Sequence, residues 1–313
     1  MFEIVLQTIS ITAPVFAMLF LGVVLKRLRW IDDDFIGTAS ALVFRGTMPT
    51  LLFLGIVNAD MSQAFKPGLI IFFVLATVIS FFVAWGWAIF RCPEIERGIY
   101  TQGAFRGNNG IVGLALATSM YGDYGLAVGS VLAGVVIFCY NILSVLVLAI
   151  YSPGAKTDPW TLCKNILTNP LIIGVVSAVP FAYWQIQLPQ WLLSSAEYFA
   201  HMSLPLALIC IGGTLSLASM RQSSDVAIGS SLMKLVWLPI LATVSAWLCG
   251  YRDADLAVLF LYFGCPTAAS SYVMARAINA NHELAAAIVV ITTIGAVVSI
   301  NLGLLVLKML GWI

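Results

Sequence analysis

Two short stretches place polar and helix-breaking residues inside otherwise apolar sequence. The first is FRGNNGIVGL at 105–114, where Arg106 precedes Asn108 and Asn109, with Gly107 and Gly110 on either side. The second is GCPTAASS at 264–271, with Pro266, Thr267, Ser270 and Ser271. Gly107 and Gly110 permit non-helical backbone. Asn108 or Asn109 is expected to cap the helix that restarts at IVGLALA. Pro266 suits the first position of a new helix, where its missing N–H costs nothing, and the hydroxyls of Thr267, Ser270 and Ser271 can satisfy freed backbone groups. A helix N-terminus offers unpaired N–H groups and about half a positive charge. Two of them together make a place for an anion. Arg106 can bind a carboxylate bidentately; the alternative is a snorkelling or carbonyl-bonded structural arginine. For the breaks themselves, the alternative is a packing kink.

Other polar residues raise similar pairs of readings. Arg45 stands four residues before Pro49 and either faces a pocket or bonds the carbonyls that the proline frees. Glu197 and His201 share a helix face, as a proton relay or as a pair at the wet end of a helix. Asn141 and Asn301 reach a substrate or ion, or bond between helices. Lys234 is expected to snorkel. No carboxylate stands in the middle of an apolar segment in an obvious Na⁺ or H⁺ site; backbone carbonyls and asparagines can still bind Na⁺, which leaves coupling open. The six cysteines are scattered singly, without a CxxC or Cys/His cluster, and read as small buried residues rather than disulfides or metal ligands. No HExxH, G-x-S-G or G-x-G-D is present, so no enzymatic activity, cofactor or metal centre is expected. There is no basic patch for nucleic acid.

These residues need a scaffold, and composition says which kind. Of 313 residues, 61% are hydrophobic and 9% charged, with a mean hydropathy of +1.01. A soluble chain carries about a quarter charged residues; this one is an integral membrane protein in contact with lipid. A spanning helix needs about 20 apolar residues. Ten such segments are expected, at 4–25, 35–57, 68–90, 99–120, 124–150, 166–184, 193–218, 227–249, 255–276 and 283–310. The first is not a cleaved signal peptide, because no basic residue precedes it and KRLR follows it. Both breaks then fall at mid-membrane, in the fourth and ninth segments. Irregular backbone at that depth is tolerated only inside protein or beside water.

The two halves share punctuation at a fixed offset. Pro14 and Pro170 stand 156 apart, as do Pro49 and Pro205, Arg45 and His201, and Asn109 and Cys265. Each half, 1–150 and 166–313, holds five segments, and the linker 151–165 gathers Pro, Gly and charge. An odd number of spans makes the second half enter from the opposite side, the inverted repeat common in secondary transporters. Interruptions at corresponding positions of two such halves point to a binding site there.

The two five-span halves, the broken fourth and ninth spans, Pro266, and Tyr140-Asn141 in span five resemble the auxin efflux carrier family, bacterial branch. The resemblance implies a ten-span all-α bundle with crossed, broken spans four and nine. Spans one, two, six and seven would form a scaffold that often dimerises, and spans three to five and eight to ten a moving transport domain. Members carry auxin or small organic acids such as malate and malonate. Plant members have a long loop between the halves and a proline in the span-four crossover. Here the linker is short and Asn-Asn-Gly takes that place. The expected function is elevator-type alternating access for small mono- or dicarboxylates. The substrate would be held by Arg106, Asn108, Asn109, Gly110, Pro266, Thr267, Ser270 and Asn141, with Arg45, Glu197, His201 and Asn301 in coupling or supporting roles. The alternatives are a sodium-coupled symporter of the bile-acid-carrier type and a channel.

Lys and Arg set orientation, because they accumulate on the cytoplasmic side. With the N-terminus outside, Lys26, Arg27, Arg29, Arg91, Arg97, Lys156, Lys164, Arg221 and Arg276 fall inside, and only Lys66, Arg252 and Lys308 outside. Both termini are therefore expected to be non-cytoplasmic, in the inner membrane of the cell. Compartment-specific reporters fused after residue 313 and within 151–165 should read outside and inside respectively; a cytoplasmic signal at the C-terminus reverses the orientation.

Overall fold

The computed structural model describes residues 2–58, 65–151, 160, 164, 167–186, 188–215, 225–278 and 280–313, and every regular element among them is helical. Most of the linker 151–165, including Lys156 and Cys163, lies outside the described residues, as does Arg221. The chain opens with α1 (Phe2–Arg27). Asp32 caps α2 (Asp33–Leu42), its carboxylate accepting from the Phe35 amide at 2.8 Å. A five-residue wide turn, Val43–Thr47, joins α2 to α3 (Met48–Val57). Pro49 explains that turn. It has no N–H, and its ring would strike the carbonyl four residues back. The helix widens, and the Met48 amide bonds five residues back to Val43.

The helices α4 (Pro67–Arg91) and α5 (Arg97–Phe105) follow, and a second wide turn at Asn109–Gly113 opens α6 (Leu114–Tyr151). Beyond the linker come α7 (Pro170–Tyr183), α8 (Gln190–His201) and α9 (Ser203–Thr214). A third wide turn, Met233–Trp237, precedes Pro239 and joins α10 (Asp225–Leu232) to α11 (Leu238–Leu248). The chain ends with α12 (Asp253–Gly264), α13 (Ser270–Ala277) and α14 (His282–Met309).

Among the described residues, six helical stretches are long and apolar enough to cross a membrane: Asp33–Val57, Pro67–Arg91, Asn109–Tyr151, Gln190–Thr214, Asp225–Leu248 and His282–Met309. Pro170–Tyr183 is shorter. The expected fourth and ninth segments are not continuous helices, because each stops at its break. The 43-residue stretch Asn109–Tyr151 would measure about 65 Å if straight, twice a bilayer core of about 30 Å. It is not straight. Gly122 has φ 54° and ψ −131°, a conformation that an L side chain resists. A Cβ on Gly125 would strike the Ala117 carbonyl, although eight residues of straight helix would separate them by about 12 Å. The chain reverses here, between the expected fourth and fifth segments.

Packing follows small residues. α1 lies on α9, and α3 on α7 and α8. Cβ atoms on Gly22 and Gly212 would run into the Ile209 and Leu19 carbonyls, and one on Gly174 would sit 2.7 Å from the Pro49 carbonyl. Such close backbone approach is how helices associate in lipid, where no hydrophobic force drives them together. A second group joins α4, α5, α6 and α10 to α14 around buried Phe73, Phe81, Leu116, Tyr262 and Ile288. Phe20, Leu75, Phe82 and Phe90 are exposed on the outer surface, the face that lipid covers. At the start of α4, Lys66 donates to Asp255 at 2.8 Å and to Tyr124 at 3.0 Å, and Tyr124 donates to Asp255. Burial pulls the Lys66 ammonium down, but Asp255 and Tyr124 outweigh it, so its pKa is raised. Its share of stability is thus present at neutral pH and is lost only as alkaline pH rises through that raised value.

Because the atoms opposing Gly212 are backbone, they cannot turn aside. Gly212→Val should cost at least the ~1–3 kcal/mol of core overpacking. A lowered melting temperature of the purified protein would register this; an unchanged one removes the α1–α9 backbone contact.

Candidate functional site

The two breaks cross and pair. The Asn108 amide donates to the Pro266 carbonyl at 2.8 Å, and the Ala268 amide to the Arg106 carbonyl at 3.2 Å. These bonds flank an antiparallel bridge between Gly107 and Thr267. Residues that leave α5 and α12 therefore satisfy one another's backbone. Thr267 adds two bonds, its hydroxyl donating to Gly103 at 2.6 Å and its amide to the Thr292 hydroxyl at 3.1 Å.

Helix polarity is ordered around this ribbon. The carbonyl ends of α5 and α12 enter it; the amide ends of the 109–113 turn and of α13 leave it. Val112 and Gly113 both donate to the Asn108 carbonyl, which leaves the amides of Gly110 and Ile111 ahead of the first bond. Ser271 and Tyr272 donate to Ala268 and Ala269, which leaves those of Ala269 and Ser270 likewise. Gly110, Ile111 and Ala269 are half-buried and Ser270 is exposed, so this amide-rich rim is the accessible part of the crossing.

Arg106 lies beside it, 7% exposed. Its guanidinium donates to the Tyr140 carbonyl (3.1 Å), the Ser144 hydroxyl (3.0 Å), the Asn141 side-chain oxygen (3.1 Å) and the Ser270 hydroxyl (3.1 Å). Its Nε makes no hydrogen bond, and no carboxylate pairs with it, among the described residues. The carbonyl-bonded reading of Arg106 thus describes one of its four hydrogen bonds, to Tyr140; the other three go to side-chain oxygens. One edge still reaches the exposed Ser270 and half-buried Asn141.

Several expectations change. Neither asparagine caps the 109–113 turn. Instead Asn109 Oδ1 accepts from Cys265 Sγ at 2.7 Å and its Nδ2 donates to the Tyr140 hydroxyl at 3.3 Å. The side chain is turned sideways because the ribbon, not a cap, satisfies the local backbone. Asn109 and Cys265 are the pair 156 residues apart, and here they touch. Pro266 is not the first residue of a helix; it lies in the extended ribbon, four residues ahead of α13, and serves through its carbonyl. Ser271 is buried and its hydroxyl satisfies no backbone group among the described residues.

The outlying candidates do not converge on the crossing. Arg45, in the Val43–Thr47 turn, is exposed and bonds none of the carbonyls ahead of Pro49 among the described residues; the Thr50 hydroxyl takes the Gly46 carbonyl at 3.0 Å. Glu197 and His201 share a face of α8, half-buried and exposed respectively, with no ion pair between them. Asn301 bonds between helices, accepting from Thr12 of α1 at 2.7 Å.

Lys234 overturns the snorkelling expectation. It is 1% exposed, and its Nζ donates to the Phe263 carbonyl at 2.9 Å. The signal was in the sequence. Ser230, Ser231 and Lys234 recur at helical spacing and mark a polar stripe turned inward. Both serines are buried, and Ser230 donates to the Tyr100 carbonyl.

A membrane transport protein family model matches residues 8–303. An uncharacterized transporter of Methanocaldococcus jannaschii is 25% identical over 277 residues, 85% of each chain. One from Methanothermobacter thermautotrophicus is 24% identical over 298 residues, covering 94% of this chain and 96% of its own. The uncharacterized transporter YfdV of Escherichia coli is 21% identical over 304 residues, covering 95% and 96%. With a multi-pass apolar helical body, a chain-long family match and relatives that are transporters rather than enzymes, the chain belongs to the membrane transport protein family, the auxin efflux carrier family that its sequence resembles.

Proposed function

We propose that this chain is a secondary carrier of small organic anions that works by elevator-type alternating access. Its frame is read as ten spans in two inverted halves, 1–150 and 166–313. The α1–α3 and α7–α9 group is the scaffold, and the face it presents to lipid is where a homodimer would form. The group built on α4–α6 and α10–α14 carries the substrate. The contact between Asn109 and Cys265, counterparts at the 156-residue offset, supports this reading.

One observation carries the anion. Two amide ends of half-helices leave the same ribbon beside a guanidinium that has no carboxylate partner among the described residues. The positive poles and the cation together favour a carboxylate. The contacts fall to the amides of Gly110, Ile111 and Ala269, to Ser270 and Asn141, and to the Arg106 edge that those two side chains now accept from. Asn108, Asn109, Pro266 and Thr267 hold the crossing in shape. Arg45, Glu197, His201 and Asn301 have no place in this site.

Binding and counterflow test it. Malate, malonate and acetate should raise the melting temperature of purified protein, and at least one should show saturable counterflow in proteoliposomes. Conductance far above carrier turnover indicates a channel instead, and no response to any of the acids removes the anion reading. A charge-assisted hydrogen bond contributes about 1.5–3 kcal/mol, so Arg106→Gln should weaken anion binding about 10- to 150-fold. Arg106→Lys should restore only part, because an ammonium lacks the planar fork. Asn109→Ala should slow counterflow while folded protein still reaches the membrane; unchanged flux at equal expression would make its bridge to Cys265 and Tyr140 dispensable.

A further inference from the structure

The carbonyl poles at the crossing need as much explanation as the amide poles. A half-helix that ends inside a membrane leaves its last carbonyls unpaired and carries about half a negative charge there. Cation-coupled carriers place Na⁺ or H⁺ at such ends, using unwound carbonyls as ligands. In this chain the end of α12 is already occupied. The Lys234 ammonium sits 2.9 Å from the Phe263 carbonyl, in the last turn of α12. Lys234 comes from the wide turn Met233–Trp237, a different element from the one it caps. Its surroundings are polar and close. A Cβ on Gly107 would strike Asn109 Oδ1, and would lie 2.7 Å from Cys265 Sγ and 3.0 Å from Lys234 Nζ. The absent side chain of Gly107 is therefore what admits the ammonium beside the ribbon. A backbone carbonyl with an amide side-chain oxygen nearby is the ligand type that hard cations take. No carboxylate neutralises Lys234 among the described residues.

We infer that Lys234 is a built-in cation, a positioning residue whose ammonium takes the place of a coupling ion at the end of α12, so that the crossing is held together without sodium. That the crossing serves anion transport is the reading of the preceding section, and this inference rests on it only for its consequence in flux: a sodium gradient drives nothing here. The ammonium's own role is a statement about the fold and can be measured separately.

The experiment uses purified full-length protein in nanodiscs, melted in choline chloride, sodium chloride or n-propylammonium chloride at matched ionic strength. Wild type should melt at the same temperature in sodium as in choline. Lys234→Ala removes three methylenes and the ammonium, the atoms that n-propylammonium returns. It should melt lower in choline and recover saturably with n-propylammonium or sodium. Lys234→Met fills the space without charge and should stay low in all three salts. A wild type stabilised by sodium over choline overturns the inference. So does a Lys234→Ala protein that ignores both cations, whatever its own melting temperature. Where Lys234→Ala yields no folded protein, the sodium response of wild type and of Lys234→Met decides. Adding the malate, malonate and acetate panel to wild type reads the anion site on its own, so loss of that response with cation rescue intact removes the proposed substrate and leaves Lys234 in its role.

Discussion

Two backbone hydrogen bonds, Asn108 to Pro266 and Ala268 to Arg106, are the constraint on which the rest depends. Lipid offers no partner for an unpaired amide or carbonyl, and each costs several kcal/mol there. A chain that interrupts two helices in the membrane must pair the interruptions or wet them. Here they pair with one another. That fixes Gly107 against Thr267, brings four helix ends to one place, and makes the neighbouring small residues obligatory. It also accounts for the burial of Tyr140, Ser144 and Thr292, which take up the polar groups that the ribbon leaves over.

The four ends are not equivalent. Two point carbonyls inward and two point amides. Each carbonyl end has a basic residue close by. Arg106 directly follows α5, although its guanidinium reaches across to α6 and α13, and Lys234 bonds the last turn of α12 from α10's side of the third wide turn. The amide ends carry no side-chain cap from Asn108, Asn109 or Ala269. A site with one negative pole capped by an ammonium and its positive poles open selects by charge before any specific contact is made.

Much of this was legible from residue types. Glycine and proline marked both breaks to within a few residues, and the offset of 156 named Asn109 and Cys265 as counterparts before the fold placed them in contact. The roles of those residues were less legible. An asparagine after a glycine has the local signature of a cap, but whether its side chain turns along the helix or across it is decided by a partner from the other half, which no local pattern contains. Pro266 likewise looked like a helix start because local rules do not know of the extended break opposite. Lys234 was hidden by its position near a segment end, where snorkelling is the ordinary outcome. Only its alignment with Ser230 and Ser231 pointed inward. The boundary expected between the fourth and fifth segments, at 120–124, is where the chain reverses at Gly122.

The pairing of the breaks also has a meaning in time. Residues that meet in the ribbon are made far apart: Asn109 and Cys265 are 156 positions apart in the chain. At a synthesis rate of ~5–20 residues per second, roughly 8–30 s pass between them. Through that interval the first half has an extended break with no partner and a guanidinium without its Ser270 acceptor. It cannot be released into lipid as a finished unit. The ribosome-bound chain must keep its first break beside water or within the insertion machinery until the second arrives, so the crossing that organises the folded protein is also the step that commits its two halves to the bilayer together.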